Sequence, residues 1–372
     1  MDRISFLVKT PLRKALIGYL AIRSFVFTVF FFSAYVAHKS PHAILLRWDA
    51  AWFRRIALEG YGHLIINSTN RHQWDYAFFP LFPMLERWIH RLTNISFNTS
   101  GLIVNLIASI VAAAGIYTIA ERLYSPRIAI FAVIAWALMP AGYVQWLAYS
   151  ESIFTAFAAW SIVALLRKHW LRAGALAFLA GTTRALGIAL VVAIGIAALH
   201  EYAKTKDFKN WRPFVAAAIS PIGLLTFMWW VGTKTHRTFG YFWVQKNWGM
   251  SLDYGVEFSS WIRAHLTGEN FYFGWGALVA LVVIAYIYYR NFKDKQPLPL
   301  LVFTTLTLFF TFAPQNFFEC KPRYAMPDFA LLFPIALWLG KRKRVHAIAI
   351  LSMYTLATAA FTAFILLGKG PP

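Results

Sequence analysis

The sequence predicts an all-α, polytopic transmembrane protein with about eleven spans and an amphipathic loop on the outer face after the first span. Three observations lead there. Of the 372 residues, 59% are hydrophobic and only 14% charged, against roughly 25% charged in a soluble domain. Apolar stretches recur at about the ~20 residues that a helical crossing needs. Lys and Arg gather in alternate connections between those stretches, as orientation in a membrane requires. Backbone in lipid must satisfy its own hydrogen bonds, so the stretches are expected as helices. The short alternating segments of a β-barrel do not occur.

The net charge of +21 would suggest nucleic acid in a soluble protein. Here the basic residues flank apolar runs, so they read as anchors, and no nucleic-acid partner is expected. The single cysteine, Cys320, excludes an intramolecular disulfide and does not identify the compartment. The run from Ala15 to Ala37 follows basic residues, as in a signal peptide. It is too long for a signal core and lacks a small-x-small cleavage site, so it reads as an uncleaved first span.

Spans are expected near 15–37, 100–120, 127–142, 145–166, 170–182, 184–200, 212–233, 274–290, 298–314, 324–340 and 345–367. The pieces at 127–142 and 170–182 are short for full crossings. No fixed-period repeat stands out, and residues 1–372 read as one membrane domain with outer loops at 38–99 and 234–272. With the N-terminus cytosolic, the inside segments hold 20 Lys and Arg against 5 acids, and the outside segments 15 against 10. This asymmetry sets the N-terminus inside and the C-terminus outside. Counting the apolar stretch 77–93 as a span would put the basic runs at 201–212 and 341–344 outside. It is therefore expected to lie on the outer surface or to dip partway in.

On that topology the unusual polar residues share one side. The stretch from Arg47 to His63 begins about ten residues after the first span. Trp48, Trp52 and Ile56 are spaced four apart and predict one helical face at headgroup depth. Asp49 opens this helix, either as its N-cap or as a general base at the membrane surface. Asp75 is a second carboxylate in the same loop, either solvated or part of a site. Pro80 and Pro83 mark a helix start. Tyr149-Ser150-Glu151-Ser152 lies at the outer end of a span, where an ionised acid faces a partner or a cavity. Thr183-Arg184 interrupts about thirty apolar residues. An arginine there needs a carboxylate or a phosphate, so Arg184 pairs with Glu151 or grips a ligand. Lys321, Arg323 and Tyr324 lead into the tenth span, as interfacial anchors or as a phosphate grip. The aromatic loop 234–272 is suited to covering a lipid or sugar. Arg23, within the first span, snorkels or pairs.

These motifs, in this order, resemble the PIG-V-like mannosyltransferases, the family of the enzyme that adds the second mannose to GPI anchors. That family belongs to the GT-C class of polytopic glycosyltransferases. The resemblance rests on Arg47-Trp48-Asp49 through Ile56-Ala57 and Gly60-Tyr61, on Phe78 to Pro83, on Tyr149 to Phe154, on Thr183-Arg184 with Gly187, and on Pro322-Arg323-Tyr324. It departs after the Thr-Arg pair, where the family often has a small polar residue and Gly; here Ala185-Leu186-Gly187 stands.

The resemblance implies a GT-C-like fold and an inverting transfer of a sugar, expected to be mannose, from a polyprenyl-phosphate donor to a glycan or glycolipid acceptor. Membrane lipid is the remaining expected partner. The active site is placed on the extracytosolic face, where nucleotide sugars are absent and a lipid-linked donor is sensible. Asp49 is implied as the base. Arg184, Arg323 and Lys321 are candidates for the leaving phosphate, and Glu151, Asp75, Trp48, Tyr149 and Tyr324 for substrate contacts. No His/Cys/acid spacing indicates a structural metal. Some enzymes of the class hold a divalent ion between loop carboxylates, which singles out Asp49 with Asp75. A GT-C enzyme moving glucose or arabinose fits the same residues. A lipid-sugar flippase or transporter fits less well, because it calls for polar groups through the full depth and repeat symmetry.

Overall fold

The computed structural model of the chain describes residues 10–66, 70–207, 209–269, 271–315 and 318–368. The cytosolic N-terminal residues 1–9 of the expected topology lie outside them. The first span is α1 (Thr10–Val36), followed by the short α2 (Pro41–Leu45). The first loop then carries α3 (Asp49–Glu59), a two-stranded antiparallel ribbon of β1 (Leu64–Ile66) and β2 (His72–Trp74), and α4 (Leu81–Thr93). The ribbon is strand where only helix was expected.

The 77–93 stretch, expected at the surface, forms the helix α4. Phe82 and Glu86 turn inward, while Met84, Trp88 and Leu92, four apart, form an exposed apolar stripe. Such a face suits the headgroup boundary. Pro80 stands at its N-cap and Pro83 in its first turn, as helix-start prolines should.

After α4 come α5 (Phe97–Leu123), α6 (Pro126–Ala137), α7 (Glu151–Leu166), α8 (Trp170–Gly181) and α9 (Gly187–Thr205). Helices α10 (Arg212–Ile219) and α11 (Ile222–Thr235) form one interrupted crossing, and α12 (Gly240–Asn247) and α13 (Val256–Ala264) fill the next loop. The chain closes with α14 (Phe271–Lys293), α15 (Leu298–Phe312), the short α16 (Lys321–Tyr324), α17 (Phe333–Gly340) and α18 (Arg344–Leu367).

Each expected span falls on an apolar helix, but six are long and apolar enough to cross a membrane among the described residues. Five more, at Pro126–Ala137, Glu151–Leu166, Trp170–Gly181, Leu298–Phe312 and Phe329–Gly340, are shorter. At 1.5 Å per residue these fall short of the ~30 Å hydrocarbon core. The missing length is the finding: α7 begins at Glu151, and α8 ends and α9 begins on either side of Arg184. Helix ends and turns replace continuous helix where the polar residues sit, as irregular backbone at depth must when it lines protein rather than lipid.

Helix α5 packs on α6 and α7, α7 on α8, and α1 on α6 and α18. Small residues set the spacing. A Cβ at Gly115 of α5 would stand 2.8 Å from the Ala159 side chain of α7, the close approach expected of membrane helices. Between α6 and α7 the chain makes a 3-10 turn at Gly142–Trp146 that buried polar side chains fix from three sides. Tyr19 donates to Gln145 Oε1 at 3.1 Å, Gln145 Nε2 to Trp136 O at 2.8 Å, and Asn105 Nδ2 to Val144 O at 2.9 Å. Trp136 Nε1 donates to Met326 O at 3.1 Å. Each buried amide or carbonyl left without such a partner would cost ~1–3 kcal/mol, so these bonds favour the observed turn. Arg23 is buried here, donating Nη1 to Ala137 O at 3.3 Å with its guanidinium over Phe27 and Trp146.

Candidate functional site

Four ionisable residues from distant parts of the chain meet at the start of α3. Arg323 Nη2 donates to Asp49 Oδ2 at 2.6 Å, and its Nε lies 3.0 Å from Glu151 Oε1. Arg184 Nη1 lies 2.8 Å from the same Glu151 oxygen and donates to Ser150 Oγ at 3.1 Å. The exposures are graded. Glu151 is fully buried and Arg323 6% exposed, while Arg184 and Asp49 keep 18% and 21% of their side chains open. The buried pair anchors the cluster and the other pair presents it to solvent. Tyr149 and Tyr324 lie beneath the Arg323 guanidinium, with ring centroids 5.0 and 5.4 Å away.

Local sequence explains each position. Glu151 is the first residue of α7, where a carboxylate meets the positive end of the helix dipole. Arg184 sits in the break between α8 and α9. That break folds tightly because Gly181 and Gly187 meet; a Cβ on Gly187 would lie 2.7 Å from the Gly181 Cα. The Thr182 carbonyl at the break accepts from Leu81 N at 3.1 Å, tying the first loop to the Arg184 turn. Arg323 lies in α16, one short turn before the 3-10 segment Phe329–Leu332.

Asp49 is not an N-cap. Trp48 holds that position with no side-chain capping bond, and Asp49 is the first residue of the helix, free to meet Arg323. Burial raises the Asp49 carboxyl above its ordinary value and nearby Glu151 adds to the rise, against the opposing pull of Arg323 and Arg184. For Arg323, burial disfavours the charge, but Asp49 and Glu151 outweigh it and hold the guanidinium protonated.

The expected Trp48–Trp52–Ile56 face is only partly present. The buried face of α3 is Ala50, Phe53, Ile56 and Ala57, and Trp48, 37% exposed, precedes the helix beside Asp49. Its φ of 61° and ψ of −125° remove it from the helical register on which the spacing argument relied. Trp52 stacks on Phe78 at 5.6 Å and meets Trp248 edge-on at 5.3 Å. The 234–272 loop thus packs on the first loop, and Trp248 Nε1 donates to Trp74 O at 2.9 Å.

Two site candidates stand apart from this cluster. Asp75 is buried, and its oxygens accept from Gly62 N and His63 N at 3.0 Å; His63 Nδ1 lies 3.1 Å away and His63 Nε2 2.9 Å from Glu59. Its lone pairs hold the turn after α3. Lys321 donates to Pro314 O at 2.5 Å with its ammonium over the Phe258 and Phe318 rings. Burial lowers its pKa to about 8, against the raising effect of Asp253 and Glu257. No described contact joins either residue to Asp49. The divalent-ion pairing of Asp49 with Asp75 therefore does not fit: one carboxylate is taken by arginine and the other by amides. No group of three or more His, Cys, Asp or Glu suited to a metal occurs among the described residues.

Sequence reasoning missed Glu86 and Arg87 in the stretch it placed on the surface. Arg87 donates Nε to Ala57 O at 2.6 Å and Nη2 to Ile56 O at 2.9 Å, closing the C-terminal end of α3. Glu86 is buried against α5, where a Cβ on Gly101 would strike its Oε1. The signal for both was present: two charges on the inward face of an amphipathic helix.

Residues 80–230 match the family of dolichyl-phosphate-mannose-protein mannosyltransferases. GPI mannosyltransferase 2 of Schizosaccharomyces pombe is 26% identical over 163 residues, covering 41% of this chain and 32% of that protein. The chain thus aligns with about a third of that relative's length. Among solved structures, ArnT from Cupriavidus metallidurans bound to undecaprenyl phosphate superposes with a TM-score of 0.54 at 13% identity, over 92% of this chain and 63% of ArnT. Its apo form gives 0.53 over 86% and 59%. The multi-pass chain therefore has a GT-C-type fold like that of ArnT and resembles the PIG-V-like mannosyltransferases in sequence.

Proposed function

We propose that this protein is a membrane glycosyltransferase that moves a sugar, mannose in our reading, from a polyprenyl-phosphate donor to a hydroxyl of a glycan or glycolipid acceptor, with inversion, on the extracytosolic face. One observation carries the reading: Asp49, Glu151, Arg184 and Arg323 form a single ion-paired cluster whose Asp49 and Arg184 remain open to solvent. A base beside a cation is what the displacement needs. Asp49 takes the acceptor hydroxyl proton as that oxygen bonds to the anomeric carbon. The bond from that carbon to the phosphate oxygen breaks on the opposite side, and the electron pair leaves with the phosphate. Arg184 and Arg323 stabilise the charge that develops there, and Glu151 holds the two guanidiniums together. The likeness to GPI mannosyltransferase 2 and to the dolichyl-phosphate-mannose family supports mannose and a lipid-linked donor, and the undecaprenyl phosphate bound by ArnT is of the same chemical class.

The test uses the purified protein with a panel of radiolabelled polyprenyl-phosphate sugars. Consumption of polyprenyl-phosphate mannose by the wild type, lost in Asp49→Asn at equal expression, is the expected result. Use of glucose or arabinose donors alone would replace mannose, and turnover by Asp49→Asn would remove Asp49 as the base.

A further inference from the structure

Trp48, the residue immediately before Asp49, has φ 61° and ψ −125°. A bulky residue in so sparsely populated a region costs ~1–3 kcal/mol and persists only where its surroundings over-determine it. Contacts on both sides of Trp48 supply that constraint. The preceding residue, Arg47, reaches across to the far end of the chain. Its Nη2 donates to Leu366 O at 2.5 Å and its Nη1 to Gly368 O at 3.3 Å, while Lys39 Nζ donates to Leu367 O at 2.8 Å. Leu366 and Leu367 carry two of the last carbonyls of α18, which no intrahelical N–H can satisfy, and Gly368 is the extended residue that follows the helix. The last turn of α18 has no basic residue of its own. The first loop supplies two cations to the negative end of that helix dipole. On its other side, the Arg47 carbonyl accepts from Tyr149 Oη at 3.4 Å, and the Tyr149 ring underlies Arg323, the partner of Asp49.

We infer that Arg47 is a positioning residue. Its fork on the C-terminal end of α18, shared with Lys39, clamps the backbone at Trp48 and so aims the Asp49 carboxylate. The clamp and the base are two residues apart, and the strained residue lies between them. Arg87 does the corresponding work at the other end of α3, through the Ile56 and Ala57 carbonyls. The helix carrying Asp49 is therefore tied at both ends through arginines, Arg47 in the turn before it reaching α18 and Arg87 of α4 reaching its last turn. On this proposal Arg47 acts through the geometry of the next two residues and not on the reacting atoms. The fork matters as well as the charge, because one planar guanidinium satisfies two carbonyls that a single ammonium reaches less well.

This inference rests on the Asp49 reading above. The experiment compares Arg47→Ala, Arg47→Lys, Lys39→Ala and Asp49→Asn in the purified full-length protein, with polyprenyl-phosphate mannose as donor. Turnover is read together with donor KM and thermal unfolding in detergent. Arg47→Ala is expected to lower kcat about 10- to 100-fold, the scale of an ångström's misplacement of a reacting group, with donor KM within about twofold of wild type. Arg47→Lys should recover part of that loss, and Lys39→Ala should lower kcat about twofold to fivefold. A kcat for Arg47→Ala equal to wild type while Asp49→Asn is dead would overturn the clamp and leave Asp49 as base. So would a loss matched by an equal loss of folded protein, or one that Arg47→Lys does not relieve at all. Turnover by Asp49→Asn would instead sink the base assignment on which the clamp depends.

Discussion

At the scale of single residues, the site is a problem of shared charge. Arg323 contacts two carboxylates and Glu151 contacts two guanidiniums, so removing one member strands another in a dry environment. Arg323→Ala should lower activity and also destabilise the protein, by less than the ~3–5 kcal/mol of a fully buried unpaired charge, because Glu151 keeps Arg184 and Asp49 is partly open; thermal unfolding in detergent would report it. Arg184 is more open, so Arg184→Ala should act mainly on catalysis, weakening donor use more than acceptor use; steady-state kinetics with each substrate varied separates the two.

The direction of the Asp49 shift gives a sign for pH. Its folded value is raised chiefly by burial, so a base at this position is lost as pH falls through the raised value. The acid limb of kcat against pH should therefore lie above the ordinary carboxylate range near ~4. Glu86 is a second buried acid, raised well above its usual value by burial despite the opposing effect of Arg54. A raised carboxyl favours folding while it is protonated, and that contribution fades as pH rises from its ordinary range toward the raised value. Glu86→Gln should thus stabilise the protein relative to wild type at pH 8 and much less at pH 4.5. Equal effects at both would contradict the assignment.

At the scale of elements, the helices approach closely where the sequence has glycine or alanine. Helix α8 meets α10 at Gly174, where a Cβ would stand 2.8 Å from the Ala216 carbonyl oxygen and 2.9 Å from its Cα. The neighbour there is backbone and cannot rotate away. Gly174→Ala should therefore cost ~1–3 kcal/mol, as overpacking does, although alanine is the better helix former. The expectation that α4 lies at the surface came from the charge balance of the later loops. Its two inward charges, Glu86 and Arg87, escaped that reading, because charge balance between loops counts residues and does not say which face of a helix they occupy. The ribbon of β1 and β2 was also not legible. Its strands are three residues each and carry no alternation long enough to read.

At the scale of the whole molecule, our proposal puts Asp49 and Arg323 on the side away from the cytosol, as the alternation of basic loops leads one to expect. The residue to probe is Pro322, which is exposed beside Arg323, with Lys343, exposed in the basic turn before α18, as its opposite. A cysteine at 322 should react with an impermeant maleimide in intact cells, and one at 343 only after permeabilisation. The native Cys320 is buried, so the wild type should label weakly. Reaction at both positions from one side would overturn the topology.

The sequence alone determined that the chain is a bundle of apolar helices, where most helices lie, and which acids and arginines break the apolar pattern. Hydropathy and charge balance act over one turn or one span, so a local reading recovers them. Only the tertiary structure decided that Asp49, Glu151, Arg184 and Arg323 meet while Asp75 and Lys321 turn elsewhere. It also decided that Trp48 leaves the helix and that Arg47 closes the end of α18. Those contacts join residues 33 to 321 positions apart. Which partner a side chain finds at such separations depends on how the helices stack, not on the residues beside it in the chain.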